Sequence, residues 1–434
     1  MVHNPPGPAP IPRWHVPRLI QVYGALLRDP ISFVSERFAE YGDIYFVDEG
    51  GGSRLYVVGH PDLLHEMLVT RHADLQKRGG ANDRLVSVLG DGLLTADGDA
   101  WKRSRKLMNP RFHRKAIAGY AKTMVDHVER VALVDGVDVD VGAVMRRLTL
   151  HIVVKALFDH DVQGDADRVV TTMEALNDAS RISVLPQWLP TPRTLRTRRA
   201  VRDLHGLIDD LVEAREREGL REDLLSMLLD VGLERRLVRD QLVTLFLAGH
   251  ETTSHALTWA LWLLSQHPEV RERLEAEVDA ADELSEQTEL PLTDAVAAEA
   301  MRLYPPAYAL PRVAKVDTEL GGFPIPAGSQ IVGWIWHAHH DPRFWDEPEA
   351  FRPQRFLEPL KKREAYLPFG GGPRMCIGAG FAKLELRLLI ASLVRRYRFE
   401  AHPGQTVEVK PGVTLAPRGR VDLRVERRPG PPTV

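Results

Sequence analysis

From about Arg239 to His267 the chain keeps a helical recurrence of apolar residues, and Pro268 stops it. A helix that long draws its stability from packing, so shorter elements must be built around it. The same periodicity recurs at 61–69, 99–108, 114–134, 141–157, 199–218, 222–229 and 379–396. The expectation is a mainly α fold with small β-sheets, in one large domain over residues 18–434. No internal repeat and no linker-like shift in composition divides it. Residues 1–17 contain six prolines and are expected to lie extended as a surface tail.

Strand signals are few. Ile44 to Val47 and Leu55 to Val58 are β-branched and aromatic, and the turn between them carries Gly50, Gly51 and Gly52. No Gly-Lys-Ser/Thr follows those glycines, which argues against a phosphate loop. Further strand-like pieces lie at 313–316 and 330–336. The stretch 337–373 is long and rich in proline, glycine and aromatics. Segments of that kind inside a compact domain are usually functional.

Composition excludes several classes. Hydrophobic residues make up 44% of the chain and charged residues 27%, ordinary globular values. A net charge of −3 gives no basic excess for nucleic acid. The apolar runs at 242–248 and 256–264 are far shorter than the ~20 residues that span a bilayer. No signal peptide is visible, so a cytoplasmic protein is expected.

The chain has one cysteine, Cys376, which rules out an internal disulfide and any site built on several thiolates. It follows Phe369-Gly370-Gly371-Gly372-Pro373-Arg374-Met375 and precedes Ile377-Gly378. Three glycines and a proline let the backbone approach a flat group closely, and a helix begins just past the sulfur. Turn and helix N-terminal amides favour thiolate over thiol. Arg374 adds a cation for an anionic group. Local chemistry alone leaves three readings open: a haem-iron ligand, a buried structural cysteine, or a cysteine nucleophile.

Four ordered motifs between Trp101 and Cys376 resemble those of the cytochrome P450 family, the haem-thiolate monooxygenases. The cysteine segment has that family's Phe-x-x-Gly-x-Arg-x-Cys-x-Gly form. Ala248-Gly249-His250-Glu251-Thr252-Thr253 is a polar interruption in the long helix. Mid-helix threonines tend to bond back to the i−4 carbonyl and bend the helix there. By resemblance, Glu251 and Thr252 are the acid–alcohol pair that delivers protons during dioxygen activation, and glutamate replaces the frequent aspartate. Glu299-Ala300-Met301-Arg302 resembles the family's structural ion pair, completed by Arg355 in the downstream motif, where Gln354 replaces a common glutamate. Trp101 and Arg105, at i and i+4, resemble the pair beside a haem propionate. Arg312 resembles a further propionate partner, with an exposed surface arginine as its plain alternative.

The resemblance implies a cytochrome P450-type single-domain fold with the long helix over the haem. It implies haem b held by Trp101, Arg105, Arg312, Phe369, Arg374, Cys376 and Gly378, with Cys376 on the iron. Residues 377–434 leave no room for a fused reductase, so electrons are expected from NAD(P)H through a separate one. Lys102, Arg103, Arg105, Lys106, Arg111, Arg114 and Lys115 include no acid among them and form a solvated basic face or a ferredoxin or flavodoxin docking site. Arg193, Arg196, Arg198, Arg199 and Arg202 read as the cap of a surface helix pair. The pocket is expected around 85–94, 182–189, 245–252, 307–310 and 413–415, with Ala248, Tyr308 and Thr414 on its lining. It suits a hydrophobic fatty acid, terpenoid or steroid-like molecule. A monomer with no membrane span is expected. The competing reading is a haem-thiolate binding or gas-sensing protein, which would not need Glu251 and Thr252.

Overall fold

The computed structural model describes residues 4–9, 16–50, 53–160 and 191–429. Helices dominate, and four small sheets occur among the described residues. The long helix runs Arg235–Gln266, and the ring of Pro268 opens the next one, Pro268–Asp279. Two hydrophobic cores meet along it. Leu242, Val243 and Phe246 pack with Leu150 and Val154 of helix Val141–Phe158 and with Leu204 and Ile208 of helix Pro192–Glu218. Leu257, Trp259 and Leu261 pack with Val296 and Leu303 of helix Pro291–Leu303 and with Leu388 and Leu389 of helix Ala379–Arg396. Trp259 stacks on Tyr304 with ring centroids 3.8 Å apart. The polar interruption falls between these cores. There Gly249 lets helix Val141–Phe158 cross closely, since a Cβ would lie 2.8 Å from Val153 Cγ2. Thr149 Oγ1 donates to the His250 carbonyl at 3.0 Å across the same crossing.

The expected hairpin forms and extends into a five-stranded sheet. Its order is Ile44–Gly50, Ser53–Val58, Gln330–Trp334, Ala309–Ala314 and Leu75–Gln76. The pairing of Ser53–Val58 with Gln330–Trp334 is parallel and the others are antiparallel. Arg312 sits opposite Ile331 in this sheet, and the edge strand leads directly into Lys77. Residues 4–9 adopt no regular element, and the Pro6 carbonyl accepts the Phe46 amide at 3.0 Å.

Several helices depart from the sequence reading. The segment 114–134 divides into Arg114–Ala118 and Ala121–Glu129, with Gly119 and Tyr120 between them and Tyr120 edge-on to Phe381. The segment 199–218 begins earlier, as Pro192–Glu218, because Thr191 caps Thr194 and proline takes the first position. Helices Val16–Arg28, Pro30–Tyr41, Asp83–Leu89 and Pro268–Asp279 lay outside the expected set. The stretch 337–373 is not wholly irregular: it begins inside helix Ile335–His340 and holds 3-10 turns Pro353–Phe356 and Arg363–Ala365. Among the described residues no helix is long and apolar enough to cross a membrane.

Candidate active site

The Cys376 loop is held by its own backbone. The Cys376 amide donates to the Phe369 carbonyl and the Met375 amide to the Gly372 carbonyl, each at 3.0 Å. Gly370 and Gly372 have φ of 68° and 65°, a region that side chains resist. At Gly372 a Cβ would also overlap the Leu68 carbonyl, so this turn requires glycine twice over. Helix Ala379–Arg396 starts three residues beyond the sulfur, and a Cβ on Gly378 would stand 3.9 Å from Cys376 Sγ. Cys376 is exposed, yet the protein packed around it pushes the thiol up. The Gly378 amide, Arg105 and Lys77 pull in the opposite direction, toward thiolate. Among the described residues no group of three His, Cys, Asp or Glu side chains gathers as a metal site. The thiol therefore stands as a single donor among the described residues.

Beside the loop lies a cluster of cations. Asp97 precedes helix Gly98–Met108 and accepts the amides of Lys77 at 2.9 Å and Arg78 at 2.7 Å. Its carboxylate also binds the Arg374 guanidinium, which donates to the Ala96 carbonyl at 2.7 Å. Arg374 lies 4.3 Å above the Trp101 ring. The Lys77 ammonium donates to the Leu94 carbonyl at 2.9 Å. Arg312 is buried, not a surface arginine, and donates to the Pro311 carbonyl at 2.8 Å. Burial, then the positive neighbours Arg312 and Arg374, hold Lys77 well below the usual lysine range. Burial and Arg374 push Arg312 down to about 10. Three cations thus face one carboxylate, and that excess is costly unless an anion joins them. Sequence reasoning missed Lys77, which no motif marks. It also missed Asp97, whose place just before the Trp101 helix was a usable signal.

The long helix opens on one face at the polar interruption. Ala248 is exposed and Thr252 partly so, one turn apart, while His250, Glu251, Thr253, Ser254 and His255 are buried. Thr252 Oγ1 donates to the Ala248 carbonyl at 2.7 Å, and Thr253 Oγ1 to that of Gly249 at 3.1 Å. These are the backward bonds the threonines were expected to make. Burial and the nearby Arg146 hold His250 neutral, pushed down to about 3, and among the described residues neither ring nitrogen has a hydrogen-bond partner.

Glu299 and Arg302 are fully buried, with contacts of 2.7 and 2.9 Å between them. Arg355 Nε reaches the same Glu299 oxygen at 3.1 Å. Arg302 also donates to the carbonyls of His339 and Pro348. His339 in turn accepts the Leu367 amide at 2.9 Å, which ties this network to the approach of the Cys376 loop.

The expected pocket residues take varied positions. Tyr308 donates to the Gly412 carbonyl at 2.9 Å, and the buried Thr414 hydroxyl meets His255 Nδ1 at 3.3 Å. Both hydroxyls are thus engaged inside the protein. The turn at 90–93 docks on the long helix, where Asp91 and Leu93 amides donate to Asp240 and Gln241 at 2.9 and 2.8 Å. Residues 182–189 lie outside the described residues, as does the side chain of Arg193. Lys102, Arg103, Lys106, Arg114 and Lys115 are exposed together, with Met375 44% exposed just before the cysteine. Lys102 pairs with Asp99 at 3.3 Å.

Comparison with known proteins gives the family. The family model described as Cytochrome P450 matches residues 5–421. Cyclooctat-9-en-7-ol 5-monooxygenase of Streptomyces melanosporofaciens is 33% identical over 408 residues, covering 88% of each chain. Pentalenene oxygenase of Streptomyces avermitilis is 33% identical over 425 residues, covering 93% of this chain and 94% of that one. Protein LUTEIN DEFICIENT 5 of Arabidopsis thaliana is 31% identical over 442 residues, covering 91% and 74%. Haem is the family's cofactor, its electrons come from an external reductase, and its substrates are hydrophobic. The chain belongs to the cytochrome P450 family of haem-thiolate monooxygenases.

Proposed function

We propose that Cys376 ligates the iron of haem b and that Lys77, Arg312 and Arg374 hold its two carboxylates. The observation that carries this reading is the charge count. With Lys77 charged, the three basic groups and Asp97 sum to +2, and two propionates bringing −2 would hold Lys77 in that charged form. Trp101 supports Arg374 from beneath, and Asp97 fixes the guanidinium from the side. Phe369 and Gly378 flank the sulfur, the first accepting the Cys376 amide and the second leaving room at the start of the following helix.

Bound haem would supply the iron chemistry by which dioxygen, two electrons and two protons put one oxygen atom into a C–H bond and release the other as water. The chain's own residues position the reactants and handle protons. Ala248 and Thr252 form the open face on which substrate lies. The Thr252 hydroxyl donates to the Ala248 carbonyl in the resting arrangement, and rotation about its Cα–Cβ bond turns that proton toward the pocket. Glu251, buried one residue away, restores it from within the helix. Glu299, Arg302 and Arg355 hold the scaffold behind the cysteine loop.

The substrate is a hydrophobic small molecule of the terpenoid kind, with fatty acids and steroid-like molecules as neighbouring classes. Relatives named for oxygenation of cyclooctat-9-en-7-ol and of pentalenene support that choice. Electrons come from NAD(P)H through an acidic ferredoxin or flavodoxin, docked on Lys102, Arg103, Lys106, Arg114 and Lys115. The enzyme works as a cytoplasmic monomer, with residues 18–434 as one catalytic domain. The test is the spectrum of the reduced, CO-bound protein, which should show the red-shifted thiolate band and lose it in Cys376→Ala. Titration with terpenes, steroids and fatty acids should then give spin-state shifts with at least one class. A wild-type protein without the thiolate band refutes the reading.

A further inference from the structure

Helix Arg235–Gln266 carries four threonines, and three of them behave alike. Thr252, Thr253 and Thr258 each donate to the carbonyl four residues back, at 2.7, 3.1 and 2.7 Å. Thr244 does not. It is 3% exposed, and among the described residues its Oγ1 has no hydrogen-bond partner, the Asp240 carbonyl four residues back included. A buried hydroxyl left unpaired costs stability, and valine would fill the same shape without that cost. Packing alone therefore gives no reason for an oxygen at this position.

Its place on the helix supplies one. Thr244, Ala248 and Thr252 stand at i, i+4 and i+8, a single stripe along the helix. Ala248 is exposed and Thr252 half-buried, so the open face runs on to Thr244. There the turn at 90–93 closes it. The Asp91 and Leu93 amides fasten that turn to Asp240 and Gln241. Gly92 lies directly over the hydroxyl, since a Cβ there would stand 2.0 Å from Thr244 Oγ1. The Gly92 carbonyl already accepts the Thr95 and Ala96 amides, so the cover leaves the hydroxyl unbonded. The two hydroxyls expected on the pocket lining are engaged elsewhere, Tyr308 with the Gly412 carbonyl and Thr414 with His255. Thr244 keeps both its donor and its acceptor capacity.

We propose that Thr244 determines substrate specificity by hydrogen-bonding an oxygen that the substrate already carries, so that terpenoid alcohols and ketones are preferred over their parent hydrocarbons. The proposal rests on the terpenoid reading given above. Rotation about the Thr244 Cα–Cβ bond swings the hydroxyl from Gly92 toward Ala248 and the open face. Eight residues of helix separate Thr244 from Thr252, a rise of about 12 Å. A substrate held at one end by Thr244 and oxidised beside Thr252 is thus a skeleton of sesquiterpenoid or diterpenoid length, with its first oxygen remote from the second. The enzyme then acts after the step that first oxygenates that skeleton.

The test compares wild type, Thr244→Val and Thr244→Ser, each haem-loaded, by spin-state titration with pairs that share a skeleton: cedrol with cedrene, and farnesol with farnesene. Wild type should bind at least one alcohol about tenfold more tightly than its hydrocarbon, the value of one hydrogen bond. Thr244→Val keeps the shape and should erase that preference by weakening the alcohol alone, while Thr244→Ser should retain it. Calorimetry separates this from a loss of structure, because Thr244→Val gives up no internal hydrogen bond and should melt no lower than wild type. A wild type without preference in either pair, or a Thr244→Val protein that keeps the preference, overturns the assignment. A wild type whose spin state no terpenoid shifts refutes the terpenoid reading itself, and this proposal with it.

Discussion

The buried ion triad gives the prediction with the best-defined magnitude. Glu299 Oε1 accepts from Arg302 Nη2 at 2.9 Å, from Arg355 Nε at 3.1 Å and from the Arg352 amide at 2.9 Å. Oε2 accepts from Arg302 Nε at 2.7 Å. Glu299→Gln keeps the shape, but it removes the only negative charge of the triad and turns an NH2 group toward an N–H donor. Glu299 and Arg302 are 0% exposed, so water cannot repair the loss. Breaking a pair of this kind costs about 3–5 kcal/mol. For a chain of 434 residues the unfolding entropy is about 0.9 kcal/mol per degree, which converts the loss into a fall in Tm of roughly 3–6 °C. Calorimetry of the haem-loaded protein at neutral pH measures it. The thiolate CO band should weaken in step, because Arg355 and the Arg352 amide suspend the segment leading to Cys376. A Tm within about a degree of wild type, with an intact CO band, would refute the claim that this charge organises the loop.

Two further predictions concern pH and have opposite signs. His250, His255, His339 and His340 are each pushed down from 6.5 to about 3, chiefly by burial. Their unfolded forms bind protons that the folded forms refuse, so stability present above pH 6.5 is lost as pH falls below it. At pH 5.5 each contributes a loss of about 1.4 kcal/mol, roughly 6 kcal/mol together, which is comparable with the whole stability of a domain. Denaturant midpoints should fall steeply between pH 6.5 and 5, and a flat profile there would sink the account. Glu385 is fully buried, and burial pushes it up to about 8. Thr253 pulls its titration down a little, but that hydroxyl donates to Gly249, and among the described residues neither Glu385 oxygen has a hydrogen-bond partner. Stability is therefore lost as pH rises from 4.5 toward 8. Glu385→Gln should be more stable than wild type by a few kcal/mol at pH 8, with the gap shrinking toward pH 6. Thr252→Ala should consume electrons without matching product, measured as reductant oxidised per product formed, and unchanged coupling would remove the proton role of Thr252. Lys77→Met should release haem to an acceptor about tenfold faster while leaving the CO band in place.

Much of this architecture was legible because it depends on local chemistry. Helix Ala379–Arg396 follows a glycine-rich turn and matches its expected span, and Pro268 ended the long helix where a missing N–H dictates. The backward threonine bonds at 252 and 253 could be anticipated because a hydroxyl in a helix has few other acceptors within reach. Helix Pro30–Tyr41 was overlooked although its buried residues Ile31, Val34 and Phe38 stand at i, i+3 and i+7 behind the Asp29 cap and Pro30, because a short stripe of three apolar positions is easily passed over beside longer runs. Tyr308 and Thr414 show a different limit. A hydroxyl on a lining segment is a plausible substrate contact by sequence, but the Gly412 carbonyl and His255, which engage them, are 104 and 159 positions away. The same limit governs the four cations. Arg105 and Arg374 stood out by motif, yet spacing specifies which helix face a residue shares and not which neighbour it meets. Lys77 follows an edge strand, Arg312 lies within its partner strand, and Asp97 precedes a helix, so only the folded sheet and helix bring them to one place. Once they are together, net charge becomes the informative quantity. Lys77, Arg312 and Arg374 converge on Asp97 beside the one thiol, and that excess of basic groups points to an anionic ligand more narrowly than any single motif residue does.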